Sequence, residues 1–251
     1  MRVPRGENAN KQWRRMKIKR YKSGDEISYA LGMAPLIELI NNRPEQLRAV
    51  FLSPQAIENE NTEKVLELAK ELGISAEKND KVFNILSDKG NCFAIGAFEI
   101  PKDKIREGDH IVLVNPSDAG NLGTIMRTAA GFGFLDLAVI SPAADAFDPK
   151  TVRASMGAVF SLNIEYFSSF GDYRERFKNN KLYSFMLDAK RTLSKTEFTP
   201  PFSLIFGNEA HGLPAEFSGF SETVVIPHSA KIDSLNLPIA AGIAMYFVKN
   251  N

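Results

Sequence analysis

Three stretches of the chain hold polar side chains set where they could do chemistry. In the first, residues 115–133, Arg127 stands among Leu122, Ile125, Met126, Ala129 and Ala130. A guanidinium in apolar surroundings calls for an anion or a carboxylate; on the polar face of an amphipathic helix it would simply be solvated. In the second, residues 204–214, an apolar run leads into Gly207-Asn208-Glu209 and then His211 and Gly212. Glycines flanking Asn-Glu suit a backbone held close to a ligand, or a Gly-rich turn with solvated side chains. His211 is a conceivable acid or base. In the third, residues 226–246, Asp233, Ser234 and Asn236 lie just ahead of Pro238, Ile239, Ile243 and Phe247. That order reads as a strand end, a polar turn and a helix with Asn236 at its N-cap, where free N–H groups collect.

Other chemistries are excluded by spacing. The glycines of the first loop run Gly120-x-x-Gly123, which is neither the dinucleotide fingerprint nor a P-loop, and the P-loop lysine is absent. His110, His211, His228 and the lone Cys92 have no metal-ligand spacing, so no metal site is expected. A single cysteine also excludes an internal disulfide and fits a reducing, cytoplasmic setting.

The elements that must position these loops alternate strand and helix. The first half reads as a helix over 27–41 entered near 33–35, a strand at 50–53, a helix at 62–72 stopped by Gly73, a short helix at 82–86 and a strand at 93–99. The charged segment 100–108 marks a domain boundary. Then come a near-continuous apolar strand at 109–116, a helix at about 122–132, a strand at 137–141, a helical region at 149–157 and a strand at 162–166. A helix at 173–179 and strands at 182–187, 203–206 and 223–226 precede the closing helix. This predicts an α/β fold with a mainly parallel sheet, whose three polar loops meet at the carboxyl edge where such sheets bind ligands. The organisation expected is a basic arm (1–22), a small α/β domain (23–105) and a larger α/β domain (106–251).

The chain is 44% hydrophobic and 24% charged, ordinary for a soluble globular protein, and no apolar run approaches membrane-helix length. No apolar segment of the signal-peptide kind follows the basic N-terminus. Residues 1–22 hold nine Lys or Arg against one acid, Glu7, while the remainder carries 22 basic and 29 acidic side chains. A basic arm on an acidic body suggests an anionic partner, nucleic acid first, or a solvated tail. Trp13 would stack on a base or anchor the arm.

On these residues the sequence resembles the SpoU–TrmH class of SPOUT RNA methyltransferases. The resemblance rests on Asn115-Pro, Asn121-Leu-Gly-Thr and Arg127-Thr-Ala, then Phe206-Gly-Asn-Glu209 with Gly212-Leu, then Ile226-Pro and Ser234-Leu-Asn236. It spans 111–247 in the family's order. Residues 27–98 look more weakly like the RNA substrate-binding domain often fused ahead of it. Asn115, the Pro-His-Ser-Ala run at 227–230 and Pro238 depart from the common pattern. The resemblance implies a deep C-terminal trefoil knot, S-adenosylmethionine as cofactor, a homodimer, and methylation of a ribose 2′-hydroxyl in ribosomal or transfer RNA, ribosomal the more expected. It assigns the chemistry to Arg127, with Asn121, Glu209, Ser234 and Asn236 shaping the site. Leu187, Gly207, Ile226 and Leu235 would border the cofactor. The alternatives are a non-catalytic RNA-binding or ribosome-assembly protein that kept the fold, and a base-methylating relative.

Overall fold

The computed structural model describes residues 18–56, 60–87 and 92–251. Most of the basic arm, Trp13 included, lies outside the described residues. Two compact units are present: Met1–Pro101 with Phe147–Ser161, and Lys102–Ala146 with Leu162–Asn251.

The first unit is a four-stranded sheet covered by helices. Its elements are β1 (Ile27–Leu31), α1 (Met33–Asn42), β2 (Leu47–Leu52), α2 (Glu60–Glu71), β3 (Ala76–Lys78), α3 (Asp80–Leu86) and β4 (Ala94–Glu99). The strand order is β1-β4-β2-β3. Residues 27–31, expected as the start of a helix, are instead a strand paired antiparallel with β4, Ile27 opposite Glu99. Gly32, at φ 110, breaks the chain between this strand and α1, a conformation that favours glycine. Helix α1 buries Leu36, Leu39 and Ile40 against a strand that is glycine at the contact. A Cβ on Gly96 would lie 2.6 Å from Leu36 Cδ1.

A segment distant in sequence completes this unit. Helix α5 (Pro149–Ala154) and a 3₁₀ turn (Ala158–Ser161) sit in sequence between strands of the second unit, yet pack here. Phe98 meets Phe160 edge-to-face at 4.9 Å. Ser28 Oγ donates to the Phe147 carbonyl at 2.5 Å, and Arg43 Nε donates to the Phe160 carbonyl at 3.0 Å.

The second unit is a seven-stranded parallel sheet in the order β7-β6-β5-β10-β8-β11-β9. Its strands are β5 (His110–Val114), β6 (Asp136–Ile140), β7 (Asn163–Phe167), β8 (Lys181–Phe185), β9 (Arg191–Thr192), β10 (Phe202–Phe206) and β11 (Glu222–Val225). Its helices are α4 (Ala119–Phe132), α6 (Phe170–Arg176) and α7 (Leu237–Asn250). The central strands β5, β6 and β10 are buried along their whole length, which is why they read as apolar runs broken only at their amino ends by His110, Asp136 and Ser203. Helix α4 is stopped by Gly133 at φ 77. Among the described residues no helix is long and apolar enough to cross a membrane.

At the amino edge of this sheet a polar network is closed off from solvent. His110 is fully buried. Its Nε2 lies 2.6 Å from the Arg106 carbonyl, which can only accept, so Nε2 carries the proton. Nδ1 then accepts from the Tyr173 hydroxyl at 2.8 Å, and Tyr173 Oη accepts from Ser203 Oγ at 2.5 Å. Burial lowers the His110 pKa, outweighing the Arg106 carbonyl bond and the charges of Asp136, Glu107 and Asp109, which raise it. The unfolded chain therefore binds a proton near pH 6.5 that the folded chain resists. Stability from neutral His110 is fully present above that pH and is lost as pH falls through the folded value. We expect the melting temperature to drop on acidification from pH 7 to pH 5, by at most about 1.4 kcal/mol of stability per pH unit. His110→Gln should flatten that slope; an equally steep acid limb in the variant sinks the assignment.

Candidate active site

A cavity of about 230 Å³ opens at the carboxyl ends of β8, β10 and β11. Phe185, Phe206 and Val225, the last residues of those strands, line it, with the first two rings stacked at 4.6 Å. Most of the rest of the wall comes from the second and third loops, with Leu187 added from just past β8. Leu187, Gly207, Glu209, Ile226, Ser234 and Leu235 all line the cavity, as do His211 and His228. Leu187 stands at its rim, 62% exposed.

The second loop is folded on itself. Asn208 and Gly212 exchange backbone hydrogen bonds at 3.2 and 2.9 Å. Asn208 Oδ1 accepts from the amides of Ala210 and His211 at 2.9 and 3.3 Å. A Cβ on Gly207 would sit 2.1 Å from the Gly212 carbonyl carbon. The glycine is thus demanded by the loop's own backbone, a reason that the sequence pattern did not supply.

Glu209 ties this loop to the first. Its carboxylate accepts from the Ser117 amide (3.0 Å) and hydroxyl (2.9 Å), the Asp118 amide (3.2 Å) and Asn121 Nδ2 (3.3 Å). Asn208 Nδ2 adds a bond to the Asn115 carbonyl at 2.8 Å, on a residue held at φ 54. Burial pushes the Glu209 pKa up, but the hydrogen bonds led by Ser117 outweigh it and hold the group below the usual carboxylate range. A carboxylate so engaged clamps the two loops together and is a poor proton acceptor. The same loop begins α4, whose N-cap Asp118 accepts from the Asn121 amide at 2.7 Å. Asn121 therefore reaches the site through Glu209 rather than by lining the cavity.

Arg127 and Asn236 lie elsewhere. Arg127 is exposed on α4, is not part of the cavity wall, and has no hydrogen bond or ion pair among the described residues. Of the two readings open for it, the guanidinium is outward and without an internal carboxylate. Asn236 holds the N-cap position of α7, but its side chain makes no capping bond; only its carbonyl is used, accepting from Ala240 N at 3.0 Å. His228, a departure from the family pattern, donates from Nδ1 to the Ile226 carbonyl at 2.9 Å.

The wall suits a ligand of mixed character: apolar side chains, backbone groups of a tight loop, and one carboxylate, with no lysine or arginine. A molecule carrying a positive centre meets no lysine or arginine there. Among the described residues no group of three or more His, Cys, Asp or Glu is disposed to hold a metal ion.

Residues 109–246 match the SpoU rRNA Methylase family. The chain belongs to that family. An uncharacterized tRNA/rRNA methyltransferase of Synechocystis is 34% identical over 139 residues, 54% of this chain, and the match spans about half of that relative's length (51%). A 23S rRNA (guanosine-2′-O-)-methyltransferase of Acinetobacter baylyi is 25% identical over 87% of this chain and 95% of its own. The AdoMet-bound rRNA methyltransferase from Sinorhizobium meliloti superposes with a TM-score of 0.74 at 27% identity, covering 89% of this chain and 87% of the other. The α/β fold with its parallel sheet is thus that of the SpoU methyltransferases, and the AdoMet bound by that neighbour carries a positive centre that would meet no lysine or arginine in a wall such as this one.

Proposed function

We propose that this protein transfers the methyl group of S-adenosylmethionine to a ribose 2′-hydroxyl of RNA, ribosomal RNA in preference to transfer RNA. The observation that carries the reading is the cavity at the sheet's carboxyl edge, walled by the two family loops that Glu209 joins to a third. When bound, the cofactor supplies a methyl group already activated by its sulfonium. Gly207, Ile226 and Leu235 would hold it, largely through backbone, with Leu187 at the rim. Ser234, on the wall, would face the ribose, and Asn236 would orient it. The 2′-hydroxyl is a weak nucleophile that must be placed in line and must lose its proton. Arg127 would bind the RNA phosphate and stabilise the charge that develops; an arginine is a poor base in water, so any help with the proton depends on that phosphate. Mapping 2′-O-methyl positions in ribosomal RNA from cells with and without the protein tests this, and identical maps would overturn it.

Two further features of this reading concern assembly. We infer that a second copy completes the site. Helix α7 leaves Ile239 (55%), Ile243 (39%) and Tyr246 (60%) exposed in one stripe, and large apolar stripes mark contact surfaces. The same helix packs on α4, with Phe132 and Tyr246 rings 6.0 Å apart, so a copy docked on the stripe would find Arg127 nearby. If Arg127 serves the partner's cavity, mixing Arg127→Ala with the cavity-filling Leu235→Trp during coexpression should restore about a quarter of wild-type transfer, since half the dimers are mixed and each has one whole site. No recovery in mixed dimers would count against it. We also infer the trefoil knot at the C-terminus, supported by the insertion of β10 between β5 and β8; a crystallographic chain trace that pulls straight from both ends would sink it. The lone, buried Cys92 is compatible with a reducing, cytoplasmic setting.

A further inference from the structure

The first unit holds a second cavity, of about 460 Å³, that the methyl-transfer chemistry does not use. Its volume lies within the range of small-ligand sites. Its apolar wall is Tyr21, Tyr29, Leu31, Leu86 and Pro149, with Tyr29 only 3% exposed. Three cations line it from two parts of the chain: Arg20, the described end of the basic arm, and Lys150 and Arg153 from α5. Arg20 is fixed there, its Nε donating to the Ile85 carbonyl at 3.0 Å. Lys150 and Arg153 are three apart on a helix, so they share a face. One acid is present, Asp148, which caps α5 by accepting from the Lys150 amide at 2.8 Å.

Converging cations beside aromatic rings are the means by which proteins take single-stranded nucleic acid, phosphate on the charges and base on a ring. We propose that this cavity receives one nucleotide of the RNA substrate, its phosphate among Arg20, Lys150 and Arg153 and its base against the partly exposed ring of Tyr21, which the buried Tyr29 backs. Asp148 offers the pocket an acceptor beside its cations, which an N–H of a base or a ribose hydroxyl can use and a bare polyanion cannot. The inference rests on the methyltransferase reading for its choice of RNA. It adds a recognition site that α5 helps build, although α5 falls in sequence inside the family-matched stretch.

The test is binding of a short fluorescent oligouridylate and of protein-free ribosomal RNA, followed by anisotropy across a salt series, with S-adenosylmethionine calorimetry and thermal melting alongside. Lys150→Ala and Arg153→Ala should each weaken RNA binding roughly tenfold at low salt. Each should lower the slope of log Kd against log salt by about 0.7, with cofactor binding and melting unchanged. Lys150→Arg should keep both. Lys150 is exposed, so its alanine variant remains informative if Arg153→Ala fails to fold. Wild-type affinity and slope in the Lys150→Ala protein would overturn the pocket while leaving the methyltransferase reading intact. A wild-type protein that binds the cofactor but neither RNA overturns both.

Discussion

Arg127→Ala should abolish methyl transfer, by at least about 10²–10³-fold, the loss typical of removing one preorganised charge from a transition state. Cofactor affinity should stay unchanged. The separation is sharp because of where the side chain lies. Arg127 is exposed, belongs to none of the cavity wall, and holds no carboxylate or carbonyl among the described residues. Its removal therefore leaves no buried partner unsatisfied and opens no hole in α4, whose packing rests on Leu122, Ile125, Met126 and Ala129. A stability change above about 0.5 kcal/mol would be foreign to such a surface site. Arg127→Lys distinguishes charge from shape: lysine keeps the charge but loses the planar fork that grips a phosphate with two N–H groups. Partial activity is expected there. Labelled methyl transfer to ribosomal RNA with cofactor calorimetry on the same samples decides the matter, and undiminished turnover in Arg127→Ala would remove Arg127 from the chemistry.

The sequence made the second unit legible because its strands are buried on both faces and its helices punctuated by caps. The runs at 111–114 and 204–206 are apolar throughout, and Asp118 and Gly133 bracket α4. The first unit was harder. Residues 27–31 are as apolar as a buried helical turn, and over five residues the two periods cannot be told apart; pairing with β4, about seventy residues on, makes the segment a strand. Membership of 147–161 in the first unit rests on contacts such as Phe98 with Phe160, which no local pattern encodes. In the site, the meeting of the loops at one sheet edge could be read from the fold class, but the hydrogen bonds that join them could not. The bond from Asn121 to Glu209 spans 88 positions. Asn236 has the residue type and position of a cap, yet its side chain makes no capping bond, since position permits such a bond without requiring one.

The second large effect concerns Gly207. An added methyl there would lie 2.1, 2.3 and 2.4 Å from Gly212 C, Gly212 O and Leu213 N. All three are backbone atoms of the same loop, so no side chain can swing aside. Gly207→Ala must pry apart the Asn208–Gly212 pair, and Glu209, the next residue but one, would be drawn off Ser117, Asp118 and Asn121. Overpacking of this kind costs about 1–3 kcal/mol, spent where the cofactor is held. We expect S-adenosylmethionine affinity to fall by roughly 100-fold, with methyl transfer falling at least as far. Gly212→Ala is the control. Gly212 sits at φ +66 with nothing within 4 Å of its missing Cβ, so alanine there meets only the left-handed backbone penalty of about 1–2 kcal/mol. Both variants should melt earlier than wild type, but only Gly207→Ala should lose the cofactor. If calorimetry finds the two equally able to bind it, the close approach of 207 to 212 does not shape the cavity. If Gly212→Ala fails as badly, the left-handed turn itself, rather than the clash, sets the loop.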